Sequence, residues 1–176
     1  MINLILSLAL AQDIRVMIID TGVTTKYTEI NTYLASDNKK QDLQDQHGHG
    51  THVTGLVLYG PELDNPVCNR VKLYVCRFKH DVKVNIPTWH TDCFQRALDL
   101  NIHIVNFSAV GQMYDSEEHD LVKKMNKAGI KLAVAAGNDS VDITRYKAYP
   151  ASYDLLNLFT VGNGINAKDR SSTSNY

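Results

Sequence analysis

An α/β fold built on a mainly parallel central sheet is predicted by three features of the 176-residue sequence. Short apolar, β-prone runs alternate with segments of helical spacing along most of the chain, the pattern of strands joined by right-handed helical crossovers. The first run, Ile14-Arg15-Val16-Met17-Ile18-Ile19, is almost continuously apolar, as a strand buried on both faces should be. It ends on Asp20-Thr21-Gly22, which sets a carboxylate at the carboxyl end of a strand, where open α/β sheets collect their chemistry.

The remaining elements follow in order. Lys26 to Leu34 reads as a short helix and Ala35 to Gln46 as a polar loop. Residues 49–58 form a helix with small faces, and Val71 to Cys76 a second strand. Thr91 to Leu100 has helical spacing through Phe94, Ala97 and Leu98, with Thr88 or Thr91 as its cap. Ile102 to Phe107 is a third strand. Asp115 to Ala128 is a helix with acidic residues in its first turn, lysines in its last and Gly129 as its stop. Ile130 to Ala136 and Leu158 to Val161 supply the fourth and fifth strands. No internal repeat or interdomain linker interrupts the series.

Composition narrows the functional classes. A hydrophobic fraction of 44% with 21% charged residues is that of a globular domain, and a net charge of −1 gives no footprint for nucleic acid or an anionic membrane. Cys68, Cys76 and Cys93 form no C-x-x-C pair; one disulfide or none is possible, and buried free thiols are the commoner outcome. At the N-terminus, Ile2 to Leu10 is too short to span a bilayer, and Ala9-Leu10-Ala11 has the small-x-small form of a cleavage site. Residues 1–11 therefore read as a signal peptide of a secreted protein, cut before Gln12, with a buried helix or strand as the alternative.

The densest stretch is Asp45-Gln46-His47-Gly48-His49-Gly50-Thr51-His52, running into Val53-Thr54-Gly55-Leu56-Val57-Leu58. Three readings fit it: a glycine-rich surface loop, a zinc site on His47, His49 and His52, and a general base serving a nucleophile. The spacing lacks the i, i+4 histidine pair and the glutamate of a helical zinc protease. An imidazole at a helix start exchanges protons near neutral pH. Asp20-Thr21-Gly22 also suggests half of an aspartic-protease dyad, but that fold needs a second carboxylate and short alternating strands around it.

Three blocks then line up. Val16 to Gly22, His49-Gly50-Thr51-His52-Val53-Thr54-Gly55 and Ala133-Val134-Ala135-Ala136-Gly137-Asn138 resemble, in this order, the Asp, His and oxyanion-Asn signatures of subtilisin-like serine proteases, the subtilases. The resemblance covers nearly all of the chain after Gln12. It implies a three-layer sandwich of the subtilisin type and serine endopeptidase activity on polypeptide substrates. Asp20 is then expected to orient the imidazole, His49 to act as general base and Asn138 to donate to the oxyanion. Ser108, Ala109 and Val110, with Gly137, are expected to line the substrate, Val110 standing where the family usually has glycine. No cofactor is implied except calcium, for which the sequence offers no ligand cluster of clear spacing.

The family's nucleophile lies in a Gly-Thr-Ser segment well beyond the oxyanion Asn, and none of the serines of this sequence is preceded by Gly-Thr. Residues 12–176 are thus expected to be the N-terminal part of a catalytic domain, incomplete at the C-terminus and inactive alone. The alternative is a catalytically inactive subtilase-like module or a gene fragment.

Overall fold

The structure is a computed structural model that describes residues 13–24, 31–34, 43–60, 71–78, 89–166 and 168–176. The long apolar run becomes β1 (Ile14–Asp20). It is joined by β2 (Asn31–Leu34), β3 (Val71–Arg77), β4 (Ile104–Phe107), β5 (Lys131–Ala135) and β6 (Leu158–Val161). All pair in parallel, in the order β2-β3-β1-β4-β5-β6. The helices among the described residues are α1 (His49–Tyr59), α2 (Trp89–Asp99) and α3 (Ser116–Lys127).

Alternation along β1 explains the layers. Val16 and Ile18 point to one face, where they meet Leu73 of β3 and Val53 and Val57 of α1. Met17 and Ile19 point to the other, into the larger core built with Phe94 and Ala97 of α2 and Leu121, Val122 and Met125 of α3. Each of these β1 side chains is at most 7% exposed, and burial of one contributes roughly 1.5–3 kcal/mol. Helices on both faces of a parallel sheet make the three-layer α/β sandwich that the sequence predicts.

The strand order positions the site. β1 has β3 on one side and β4 on the other. The chain reaches β3 first and then crosses through α2 to β4 on the opposite side, so the carboxyl end of β1 is a topological switch point. Asp20 is the last residue of that strand.

Three expectations change. Residues 31–34 form strand β2, not the end of a helix; residues 26–30 lie outside the described residues. A nine-residue helix is marginal by itself, whereas Asn31 to Leu34 find a full parallel ladder on Tyr74 to Arg77 of β3, and Thr32 and Tyr33 suit a pleated backbone. Cys76 and Cys93 are not free thiols but a disulfide that ties the end of β3 to α2. The two residues face each other between the sheet and α2 with Cα atoms 5.8 Å apart, within the range a bridge requires. Cys68 lies outside the described residues. Finally, α2 starts at Trp89, so Thr91 is a buried residue inside the helix and not its cap, and Thr88 lies outside the described residues.

Asp115 caps α3, accepting from the amides of Glu117 (2.8 Å) and Glu118 (3.2 Å), and Gly129 follows the helix at φ +78°. Glu118 is not a solvated first-turn charge. It turns inward and meets the buried His90 Nε2 at 2.7 Å, joining α3 to α2.

Candidate active site

The site begins where the N-terminus of α1 meets the end of β1. Gly50 makes the approach possible: a Cβ there would lie 2.3 Å from the Gly22 carbonyl oxygen and 3.2 Å from Asp20 Cβ. With helix and strand that close, His49, the first residue of α1, places Nδ1 2.8 Å from Asp20 Oδ1 and 3.0 Å from Oδ2. Asp20 is 2% exposed and the His49 side chain 44% exposed. An ionised carboxylate only accepts, so Nδ1 carries the proton and donates, which leaves Nε2 with a free lone pair. Asp20 Oδ1 also accepts from the Thr21 amide at 2.8 Å, a second restraint on the carboxylate.

A second carboxylate, Asp45, builds the loop in front of this pair. It accepts hydrogen bonds from Thr21 Oγ1 (2.9 Å), from the amides of His47 (3.0 Å), Gly48 (2.8 Å) and Thr51 (2.8 Å), and from Thr51 Oγ1 (2.7 Å). The Gly50 amide in turn donates to Thr21 Oγ1 at 2.9 Å. Burial alone drives the Asp45 carboxyl upward, but the bonds from Thr51, Gly48 and Thr21 outweigh it and hold the group well below the usual carboxylate range. Asp45 therefore remains charged and satisfies donors that the start of α1 leaves open. The sequence alone assigns Asp45 no role. The available signal was an acidic residue just ahead of a glycine-rich helix start.

His47 and His52 are exposed, and the His47 and His49 ring centroids stand 6.2 Å apart. No group of three or more His, Cys, Asp or Glu among the described residues could hold a metal ion, so His47, His49 and His52 do not form the zinc site that was the alternative.

The other predicted residues lie along the same sheet edge, because β1, β4 and β5 run parallel and Ile19, Phe107 and Val134 share one level of the ladder. Just beyond that level, Ser108, Ala109 and Val110 leave β4, and Ala136, Gly137 and Asn138 leave β5. Ser108, Ala109, Val110, Gly137 and Asn138 line a 670 Å³ cleft whose wall also includes Asp139, Lys147 and Ala148. Val110 Cγ2 lies 3.2 Å from where a Gly137 Cβ would stand. Ser108 Oγ accepts from Asn106 Nδ2 at 2.9 Å. Gly111 pairs with Tyr149 through two backbone bonds of 2.8 and 2.7 Å, fixing the far end of the cleft. Ser174, near the last residue, is fully buried; its Oγ accepts from the Asn163 amide and donates to the Asn175 carbonyl, both at 2.9 Å.

The model of the subtilase family matches residues 11–176. The chain belongs to the subtilase family. Among subtilases it is similar to subtilisin E of Bacillus subtilis (strain 168), with 26% identity over 150 residues that cover 80% of this chain and 39% of subtilisin E. It is also similar to subtilisin-like protease 2 of Trichophyton tonsurans, with 30% identity over 167 residues, 90% of this chain and 38% of that protein. Among solved structures, the epidermin leader peptide processing serine protease of Staphylococcus aureus shares the fold. Its TM-score is 0.70 at 22% identity, over 93% of this chain and 49% of that one. The chain thus spans about two fifths of the length of these two curated relatives.

Proposed function

We propose that this chain carries the acid–base half of a serine endopeptidase of the subtilisin type, with a nucleophilic serine contributed by sequence beyond residue 176. The observation that carries the reading is the bond from His49 Nδ1 to the buried Asp20, which leaves Nε2 as an exposed base. Nε2 takes the proton of the serine hydroxyl as its oxygen attacks a peptide carbonyl carbon, and later gives that proton to the leaving amine. Asp20 holds the tautomer and stabilises the imidazolium without itself becoming protonated. The side-chain amide of Asn138 donates to the oxyanion. Removing that donor in subtilisin itself is the reference case, at about 10²–10³-fold in kcat. Ser108, Ala109 and Val110 make no backbone hydrogen bond among the described residues, so their main chain is open to pair with an extended substrate beside Asn138.

A serine-directed fluorophosphonate probe tests the reading. Extended through a Gly-Thr-Ser segment, the chain should be labelled, and His49→Ala should abolish labelling. The 176-residue chain itself should stay unlabelled. Efficient labelling of the short chain would assign the nucleophile to a serine within it, Ser108 first.

We also propose that the protein is exported. Its leader, residues 1–11, lies outside the described residues. The Cys76–Cys93 disulfide supports the reading, since such bridges persist in oxidising compartments. No helix among the described residues is long and apolar enough to cross a membrane.

A further inference from the structure

Asn138 is exposed, and its carboxamide has no hydrogen-bond partner among the described residues. Its aim is therefore set by the backbone that carries it. That backbone leaves β5 through Gly137, at φ +101°, and contains no regular structure of its own to hold it. What grips it comes from 37 positions further along: Asn175, 1% exposed.

The Asn175 side chain spans the turn. Its Nδ2 donates to the Ala136 carbonyl at 2.9 Å, before Asn138, and its Oδ1 accepts from the amides of Asp139 (2.8 Å) and Val141 (3.1 Å), after it. The Asn175 amide donates to the Gly137 carbonyl at 2.9 Å. Four bonds from one residue thus bracket Asn138 on both sides. Gly137 is fitted to this grip, because a Cβ there would lie 2.4 Å from Asn175 Nδ2, on a backbone that already disfavours one. Neighbouring bonds keep Asn175 in place: Ser140 N to the Thr173 carbonyl (3.0 Å), Tyr176 N to the Val141 carbonyl (3.1 Å) and Ile143 N to the Tyr176 carbonyl (2.8 Å). The Arg170 guanidinium covers the Tyr176 ring at 4.2 Å.

From this geometry we infer that Asn175 is a positioning residue for the Asn138 amide, an inference that rests on the oxyanion role proposed above. Only a carboxamide meets the site, since it needs one donor toward Ala136 and one acceptor toward Asp139 and Val141. Aspartate keeps the acceptor but sets an oxygen against the Ala136 carbonyl. Alanine drops all three side-chain bonds. Either change frees the turn, and a misplacement of about 1 Å in a catalytic group can cost on the order of 10²-fold in rate.

The test is a double-mutant cycle in the complete protein, combined with amide exchange. Asn175→Ala and Asn175→Asp should each lower kcat by roughly 10- to 100-fold with KM within about twofold. In an Asn138→Ala background, Asn175→Ala should cost less than about twofold more, because the group it aims is gone. Exchange at Asp139 and Val141 should accelerate in both variants while Leu132 and Val134 of β5 stay protected. Equal losses in the two backgrounds, or loss of β5 protection together with the turn, would make Asn175 a general stability residue and overturn the assignment. If Asn138→Ala leaves kcat unchanged, the oxyanion reading itself fails and the catalytic role of Asn175 falls with it.

Discussion

Replacing Asp45 by asparagine tests whether the base is held by the loop that this carboxylate organises. Asp45 is 7% exposed and accepts five hydrogen bonds, two at Oδ2 from Thr51 and three at Oδ1. Asparagine keeps one oxygen and presents an NH₂ to donors on the other side. If the oxygen stays with the Thr21, His47 and Gly48 donors, the NH₂ faces two donors of Thr51. Hydrogen bonds to a charged acceptor contribute about 1.5–3 kcal/mol each, but they are not additive, and the exposed amides of His47 and Gly48 regain water. The net loss should be about 2–4 kcal/mol, toward the upper end for single substitutions. Urea unfolding at neutral pH measures it.

Acid provides an independent reading of the same residue. Because the folded carboxyl of Asp45 is depressed, its contribution is fully present above the unfolded carboxylate value near ~3.9 and is lost as pH falls below it toward the folded value. The stability gap between the parent and Asp45→Asn should therefore narrow below about pH 4. A neutral-pH loss under about 0.5 kcal/mol, or a gap that does not change with acid, would refute the reasoning.

Two further outcomes follow from buried groups. Thr54 lies on the fully buried face of α1 with no hydrogen-bond partner for Oγ1 among the described residues, so Thr54→Ala should raise stability by about 1 kcal/mol in the same urea assay. A decrease above that size would mean that packing of the γ-methyl outweighs the stranded hydroxyl. Expressed with its own leader in a secreting host, the protein should begin at Gln12, and Cys76 and Cys93 should resist alkylation until a reductant is added. Intracellular protein that starts at Met1 with both thiols free would sink the export reading.

Much of the fold could be read from the sequence because it rests on local signals. The continuous apolar run of β1 required burial on both faces, and alternation there places α1 opposite α2 and α3. The Asp-Thr-Gly and His-Gly-Thr-His blocks sit at a strand end and a helix start, so their juxtaposition needed only the parallel order. β2 was hidden because four residues become a strand only when β3 offers them a ladder. The disulfide was hidden because spacing does not report which cysteines face each other across a sheet and a helix.

Local patterns carry the alternation of strands and helices, the subtilase resemblance and the residues that bear it, since periodicity and motif spacing act over a few neighbouring positions. What holds those residues still emerges only from the packed chain. Asp45 gathers donors from Thr21 to Thr51, and Asn175 closes on a turn between 34 and 39 positions away. Such bonds depend on where packing brings distant segments together, and no local pattern encodes that distance.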